Sequence, residues 1–203
     1  DYDTLSQNIS GAIVRVYGGS QISKDSNAAY TTGIDKSFKT HIKEFQKRDV
    51  PVAVYSYALG KSVKEMKNEA KTFYENASPY KPTFYWIDVE EATMSDMNKG
   101  VQAFLSELKR LGADKVGIYI GTYFMTEQEI SVDGFDAVWI PAYGSDSGYY
   151  DAAPQTDLDY DLHQYTSQGY LGGFDSALDL NQIAVTKDRK KTYEKLFGKI
   201  DNK

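Results

Sequence analysis

The sequence predicts an α/β protein built on a parallel sheet, and three observations carry that prediction. Short apolar runs rich in β-branched residues and Tyr recur along the chain, helix-patterned stretches separate the early ones, and turn or cap residues mark the changeovers. Strand alternating with helix is the pattern of parallel strands joined by crossover helices. The opening "DYDTLSQN" reads as a short helix with Asp1 or Asp3 near its N-terminus, where the helix dipole favours an acid. "GAIVRVYGG" (11–19) reads as a strand, followed by a helix over 34–48. "VPVAVYSYA" (50–58) is the next strand, and the helix over 62–77 opens with Ser62 and Glu65 spaced as a capping box. "TFYWIDVE" (83–90) precedes a helix over 95–111 that Gly112 ends as a C-cap. "KVGIYIGTY" (115–123) follows as a strand. Beyond it "AVWIPAYG" (137–144), "YDLHQYTS" (160–167) and "SALDLNQ" read as successive strands, with a surface loop at 144–157 and a tight turn at "LGGF" (171–174). A last helix at about 187–198 closes the chain. Without fixed-period repeats or low-complexity segments, the 203 residues read as a single domain, 1–203.

Composition removes several functions. Net charge is −6, with Lys and Arg scattered rather than gathered, which argues against nucleic acid as a partner. No apolar stretch approaches the roughly 18 residues of a membrane span. The absence of cysteine excludes disulfides, thiolate metal sites and cysteine nucleophiles. His41 and His163 stand outside any HExxH pattern, so a zinc hydrolase is not expected, and His163 reads as a packed strand residue. "GSDSG" (144–148) is not the GxSxG elbow, and no GxGxxG or Walker sequence occurs. No metal and no organic cofactor is implied. The helical Lys and Glu runs read as solvated faces.

The chemistry concentrates in "YWIDVEEATM" (85–94). On an extended strand Trp86, Asp88 and Glu90 share one face while Ile87 and Val89 point the other way. Two carboxyls facing one space repel each other and lose water, so at least one pKa is expected to rise. Residues i and i+2 lie about 6.5–7 Å apart along a strand, a spacing compatible with both retaining and inverting glycosidases. In a parallel barrel the active site lies at the C-terminal strand ends, and here those ends carry Arg15, Tyr57, Tyr119, Trp139, Tyr143 and Gln164. Flat aromatic faces and hydroxyls around two acids suit a sugar-binding cleft. The competing reading is an acid pair satisfied by Arg or backbone donors, with Tyr serving as strand packing.

The stretches "VPVAVYSYA", "FYWIDVEE", "VGIYIGTYF", "VWIPAYG" and "DLHQYTSQGYLGGFDSALDLNQ" together resemble the glycoside hydrolase family 25 lysozymes, the Chalaropsis-type N-acetylmuramidases. The resemblance runs from residue 1 to about 183, and its most specific parts are the D-x-E at 88–90 and the "LDLN" ending. It implies an irregular TIM-like (β/α) barrel with helices mainly in the first half. It further implies cleavage of the β-1,4 bond between N-acetylmuramic acid and N-acetylglucosamine in peptidoglycan, outside the cell or in the wall, by a secreted bacterial enzyme or a phage endolysin. Glu90 then matches the general acid, Asp88 its acidic partner and Asp179 a further acid lining the cleft. The sequence departs from the family at His163, where Trp is common, and at Pro141, where a small residue is usual. It also shows no opening strand ending in Asp. Only the seven residues "TLSQNIS" separate Asp3 from the strand at Gly11, too few for a crossover that needs about a dozen. The expectation is therefore a barrel with its first strand missing and an open edge beside residues 11–17, through which copies could associate. Two alternatives remain open: a catalytically impaired cell-wall-binding protein of the same fold, and a chitinase-like hydrolase, although the longer D-x-x-D-x-D-x-E pattern is absent.

Overall fold

In the computed structural model, which describes residues 1–18, 26 and 28–198, seven strands form one curled sheet in chain order, a half-barrel of mixed α/β architecture. Strands β1 (Ala12–Tyr17), β2 (Val52–Tyr57), β3 (Tyr85–Val89), β4 (Val116–Ile120), β5 (Ala137–Pro141) and β6 (Leu162–Gly169) run parallel, and β7 (Leu178–Ile183) returns antiparallel to β6. The helices are α1 (Tyr2–Gln7), α2 (Phe38–Gln46), α3 (Val63–Ala77), α4 (Met97–Leu111), α5 (Thr122–Glu127) and α6 (Arg189–Phe197). Among the described residues β2 is the only strand beside β1 and β6 the only strand beside β7, so the curl stops short of closure. The far edge of β1 is covered at Val16–Tyr17 by a bridge to Ile34 and a bond from Asp35 N to Val16 O, which corrects the open edge expected along residues 11–17.

Strand alternation creates two cores. Outward residues such as Val16, Ile87, Val89 and Ile118 pack under Ile42, Met66, Phe73 and Phe104 of α2–α4. Inward residues Phe84, Trp86, Trp139 and Leu162 pack together with Leu196 and Phe197 of α6. Because β3 is covered on both faces, all of its residues are buried, as a central parallel strand requires. Trp86 fits because β4 has no side chain opposite it: a Cβ at Gly117 would lie 2.4 Å from Trp86 Cζ3. Gly117→Ala is expected to cost about 1–3 kcal/mol as an overpacked core, read as a lower urea midpoint. An unchanged midpoint would show that the indole can move aside.

The caps explain the helix limits. Asp1 caps α1 by accepting from Thr4 N at 3.1 Å. Ser62 Oγ accepts from Glu65 N at 3.1 Å, but Glu65 reaches back to Lys61 N rather than to Ser62, so the capping box is half formed. Gly112 ends α4 in the left-handed region at φ 111°. Several expected boundaries are corrected. The helix expected over 34–48 begins only at Phe38, because Ile34 forms a bridge with Tyr17 and the Asp35 carboxylate accepts from Ser37 N and from Arg15. The strand expected over 115–123 stops at Ile120; Gly121 then caps α5, so Tyr123 is helical. The strand expected over 160–167 lies at Leu162–Gly169, which puts Gln164 inside the strand rather than at its end. Glu90 falls one residue past β3. Gly19, the last residue of the first strand run, lies outside the described residues. Nor are all helical Glu residues solvated: Glu69 is buried and accepts from Leu59 N at 3.0 Å.

Candidate active site

The register of the parallel strands sets four side chains in one row, Tyr57 beside Asp88, Asp88 beside Tyr119, and Tyr119 beside Trp139. The row beneath holds Arg15, Tyr55 and Trp86. All of these side chains except Trp86, which is buried in the inner core, line a cavity of about 1690 Å³ at the concave side of the sheet. Arg15, Tyr57, Asp88, Glu90, Tyr119, Trp139, Tyr143, Gln164 and Asp179, read from sequence as site residues, all line it. So do Gly11–Val14 of the β1 side and Leu178–Ile183 of β7, which places the unclosed part of the sheet in the same space.

The two central acids sit in different surroundings. Asp88 is 7% exposed, and its Oδ1 has no hydrogen-bond partner among the described residues. Glu90, at the strand's end, is exposed to solvent. The Asp88 carboxyl is pushed well above the ordinary aspartate value of 3.8, first by burial, then by the Glu90 charge, a hydrogen bond with Glu90 and the Asp179 charge; Arg15 opposes the rise. Two acids that face one space resist ionising together, and Asp88, the buried one, is the member that favours keeping a proton. Asp179 is also raised, by loss of water and by the charges of Glu90 and Asp146.

A raised carboxyl binds more protons folded than unfolded, so stability falls as pH rises from 3.8 through the folded value. Asp88→Asn removes that cost. The variant is expected to melt higher than wild type at pH 7, with the difference shrinking as pH falls through the raised folded value of Asp88 and gone below about 3.8. A lower melting temperature at pH 7 would mean that Asp88 is held by attractions stronger than its burial cost.

The rim is fixed by polar contacts. Gln164 Oε1 accepts from Tyr119 OH at 2.7 Å and from Tyr143 OH at 2.5 Å, which fixes the amide's orientation and turns its N–H₂ away from both rings. Trp139 Nε1 donates to Asn181 Oδ1 at 2.8 Å, and Tyr57 OH donates to Glu91 Oε1 at 2.8 Å. Arg15 Nε and Nη2 both donate to Asp35 Oδ2, at 3.1 and 3.0 Å. Burial raises the pKa of Tyr57 and Tyr119, which keeps both phenols neutral and able to donate. His163 is buried with Nε2 at 2.7 Å from Ala142 O, and His41 lines the cavity with its Nδ1 bonded to Tyr2 OH. Among the described residues no group of three or more His, Asp or Glu is placed to hold a metal ion.

Sequence reasoning passed over Asn181, Glu91, Asp35 and Glu69. Asn181 could have been found, since it follows Asp179 by two on the same strand. Glu69 gave no signal, yet its bond to Leu59 N fixes the chain just past Tyr57.

The family profile of glycosyl hydrolases family 25 matches residues 25–174. A solved glycosyl hydrolase 25 of Streptococcus pneumoniae, described as a virulence factor participating in host cell invasion, is 56% identical. It superposes with a TM-score of 0.96 over 98% of this chain and 87% of that one. The catalytic domain of endolysin ply40, from bacteriophage P40 of Listeria monocytogenes, is 26% identical over 97% of this chain and 90% of that one, with a TM-score of 0.80. A bacterial lysozyme of Streptomyces coelicolor shares the fold at a TM-score of 0.69 and 14% identity, over 96% of this chain and 90% of that one. No curated protein sequence matches the chain.

Proposed function

We propose a mechanism on one premise: the chain belongs to glycosyl hydrolases family 25, and is a glycoside hydrolase acting on peptidoglycan. The bond cleaved is the β-1,4 link between N-acetylmuramic acid and N-acetylglucosamine. The observation that carries the assignment is the pairing of buried, proton-retaining Asp88 with cleft-exposed Glu90 in an aromatic-lined cavity. Glu90, the accessible member, delivers the pair's proton to the glycosidic oxygen. Asp88, left ionised between Tyr57 and Tyr119, then stabilises the positive charge that develops in the sugar ring. Asp179 adds negative potential from the β7 side, and Gln164 and Arg15 line the same cavity. The whole chain, 1–203, acts as one catalytic unit at the cell wall, outside the cell.

Clearing of purified bacterial walls compared with hydrolysis of chitin tests this reading. Walls but not chitin should be degraded. Chitin turnover would favour a chitinase-like enzyme, and wall binding without turnover would mark an impaired binder. The rings of Tyr57, Tyr119, Trp139 and Tyr143 stack on the sugars. Removing any one is expected to raise KM more than it lowers kcat, as loss of uniform binding does; equal losses in both would mean that the rings shape the acids instead.

The finer architectural reading is a barrel one strand short. It is supported by β1 and β7, each with a single strand neighbour among the described residues, which border the cavity together. The Asp1 amino group, at 2.7 Å from Gly173 O, lies on that border. A strand-length segment supplied ahead of Asp1 is expected to raise melting temperature and wall hydrolysis together, and to suppress edge-to-edge association of copies. Unchanged values would count against an open barrel.

A further inference from the structure

Six of the seven exposed large apolar side chains among the described residues lie beyond the C-terminal ends of the parallel strands, the ends that carry Tyr57, Glu90 and Tyr143 of the cavity lining. Tyr30 follows β1, Tyr123 follows β4, Tyr149 and Tyr150 follow β5, and Tyr170 and Phe174 follow β6. Val185 alone, after antiparallel β7, lies at the opposite end. Scatter without function would divide such residues between the two ends, and apolar surface gathered on one face marks a binding surface.

Three of these rings are open to water on backbone that hydrogen bonds or regular structure hold. Tyr123, 79% exposed, sits in the first turn of α5. Tyr149, 78% exposed, follows Gly148, whose N–H donates to Thr166 Oγ1 at 3.2 Å. Its loop is stitched to β6 by Asp146, which accepts from Thr166 Oγ1, Ser167 N and Ser167 Oγ at 2.7, 2.8 and 2.6 Å. Tyr170, 69% exposed, directly follows the last residue of β6. β4, β5 and β6 are neighbours in the sheet, so the rings stand on three successive strand ends. Tyr offers a large, stiff contact area with few rotamers to lose, plus a hydroxyl to hydrogen-bond.

We propose that Tyr123, Tyr149 and Tyr170 form an outer docking surface for the glycan strands of insoluble peptidoglycan, continuous with the cleft but outside it. The surface holds neighbouring wall polymer while one strand lies across Asp88 and Glu90. This rests on the peptidoglycan reading above. A partner of repeating pyranose rings fits best, because stacking faces suit it and it continues the polymer already in the cleft.

The test is the triple variant Tyr123→Ser, Tyr149→Ser, Tyr170→Ser, made in wild type and in a Glu90→Gln background. Co-sedimentation with purified walls is measured in the silent background. Hydrolysis of walls and of a short soluble glycan fragment is measured in the active one, with melting temperature as the folding control. Wall binding is expected to weaken by about tenfold, with kcat/KM falling on walls and unchanged on the short fragment. Unchanged wall binding, or equal losses on walls and fragment, would overturn the proposal. So would unchanged wall binding with altered self-association in gel filtration, which would make the rings a contact between copies. If the active parent hydrolyses neither substrate, the mechanism above fails, while the binding arm still decides the docking surface.

Discussion

Glu90→Gln is expected to abolish wall hydrolysis, lowering the rate by about 10²–10⁴-fold as loss of a general acid does, while wall binding and melting temperature stay at wild-type values. The amide keeps the shape of the carboxyl but has no proton to deliver. Glu90 is exposed and lies past the end of β3, so the exchange leaves the packed core untouched. Turbidity clearance of purified walls gives the rate, and co-sedimentation gives the binding. Near-normal clearance would remove Glu90 from the chemistry and shift the proton-donating role to Asp88, the buried partner with the raised pKa.

The largest effect on stability is expected from Trp86→Ala. The indole is fully buried inside the curl, stacked on Phe84 with ring centroids 4.8 Å apart and edge-on to Trp139 at 5.5 Å. Truncation leaves a hole that Gly117, lacking a side chain, cannot fill from the next strand. The cost is expected to be about 3–5 kcal/mol, and at about 2–4 °C per kcal/mol for a chain of this size the melting temperature should drop by about 6–20 °C. Activity should fall with it at assay temperature, because Asp88 stands directly above Trp86 on the same strand face. A loss below about 1 kcal/mol would contradict a packed inner core and imply that the curl is held mainly by the helices outside.

Much of this architecture is legible in the sequence, for physical reasons. Period-2 alternation on β3 separates Trp86, Asp88 and Glu90 from Ile87 and Val89, and the structure keeps that division between its inner and outer cores. The start of α3 and the end of α4 are legible because Ser62 and Gly112 act through neighbours in sequence. What is not legible depends on distant partners. Asp35 meets Arg15 twenty residues away, and Asn181 meets Trp139 forty-two residues away. The helix α5 is hidden because "GTYFM" continues the aromatic strand pattern of β4, and only the turn at Gly121 separates the two. The different burial of Asp88 and Glu90 is likewise a tertiary fact. Spacing places both acids on one face, but only the covering of β3 decides which loses its water.

Under the proposed mechanism Glu90, beside Asp88, donates the proton that frees a new reducing end on N-acetylmuramic acid. Mass spectrometry of the reducing ends released from purified walls tests it most directly. Digestion by the wild-type chain is expected to produce new reducing ends on N-acetylmuramic acid alone, with none produced by Glu90→Gln. Reducing ends on N-acetylglucosamine, or peptide fragments with no new reducing end, would contradict this mechanism.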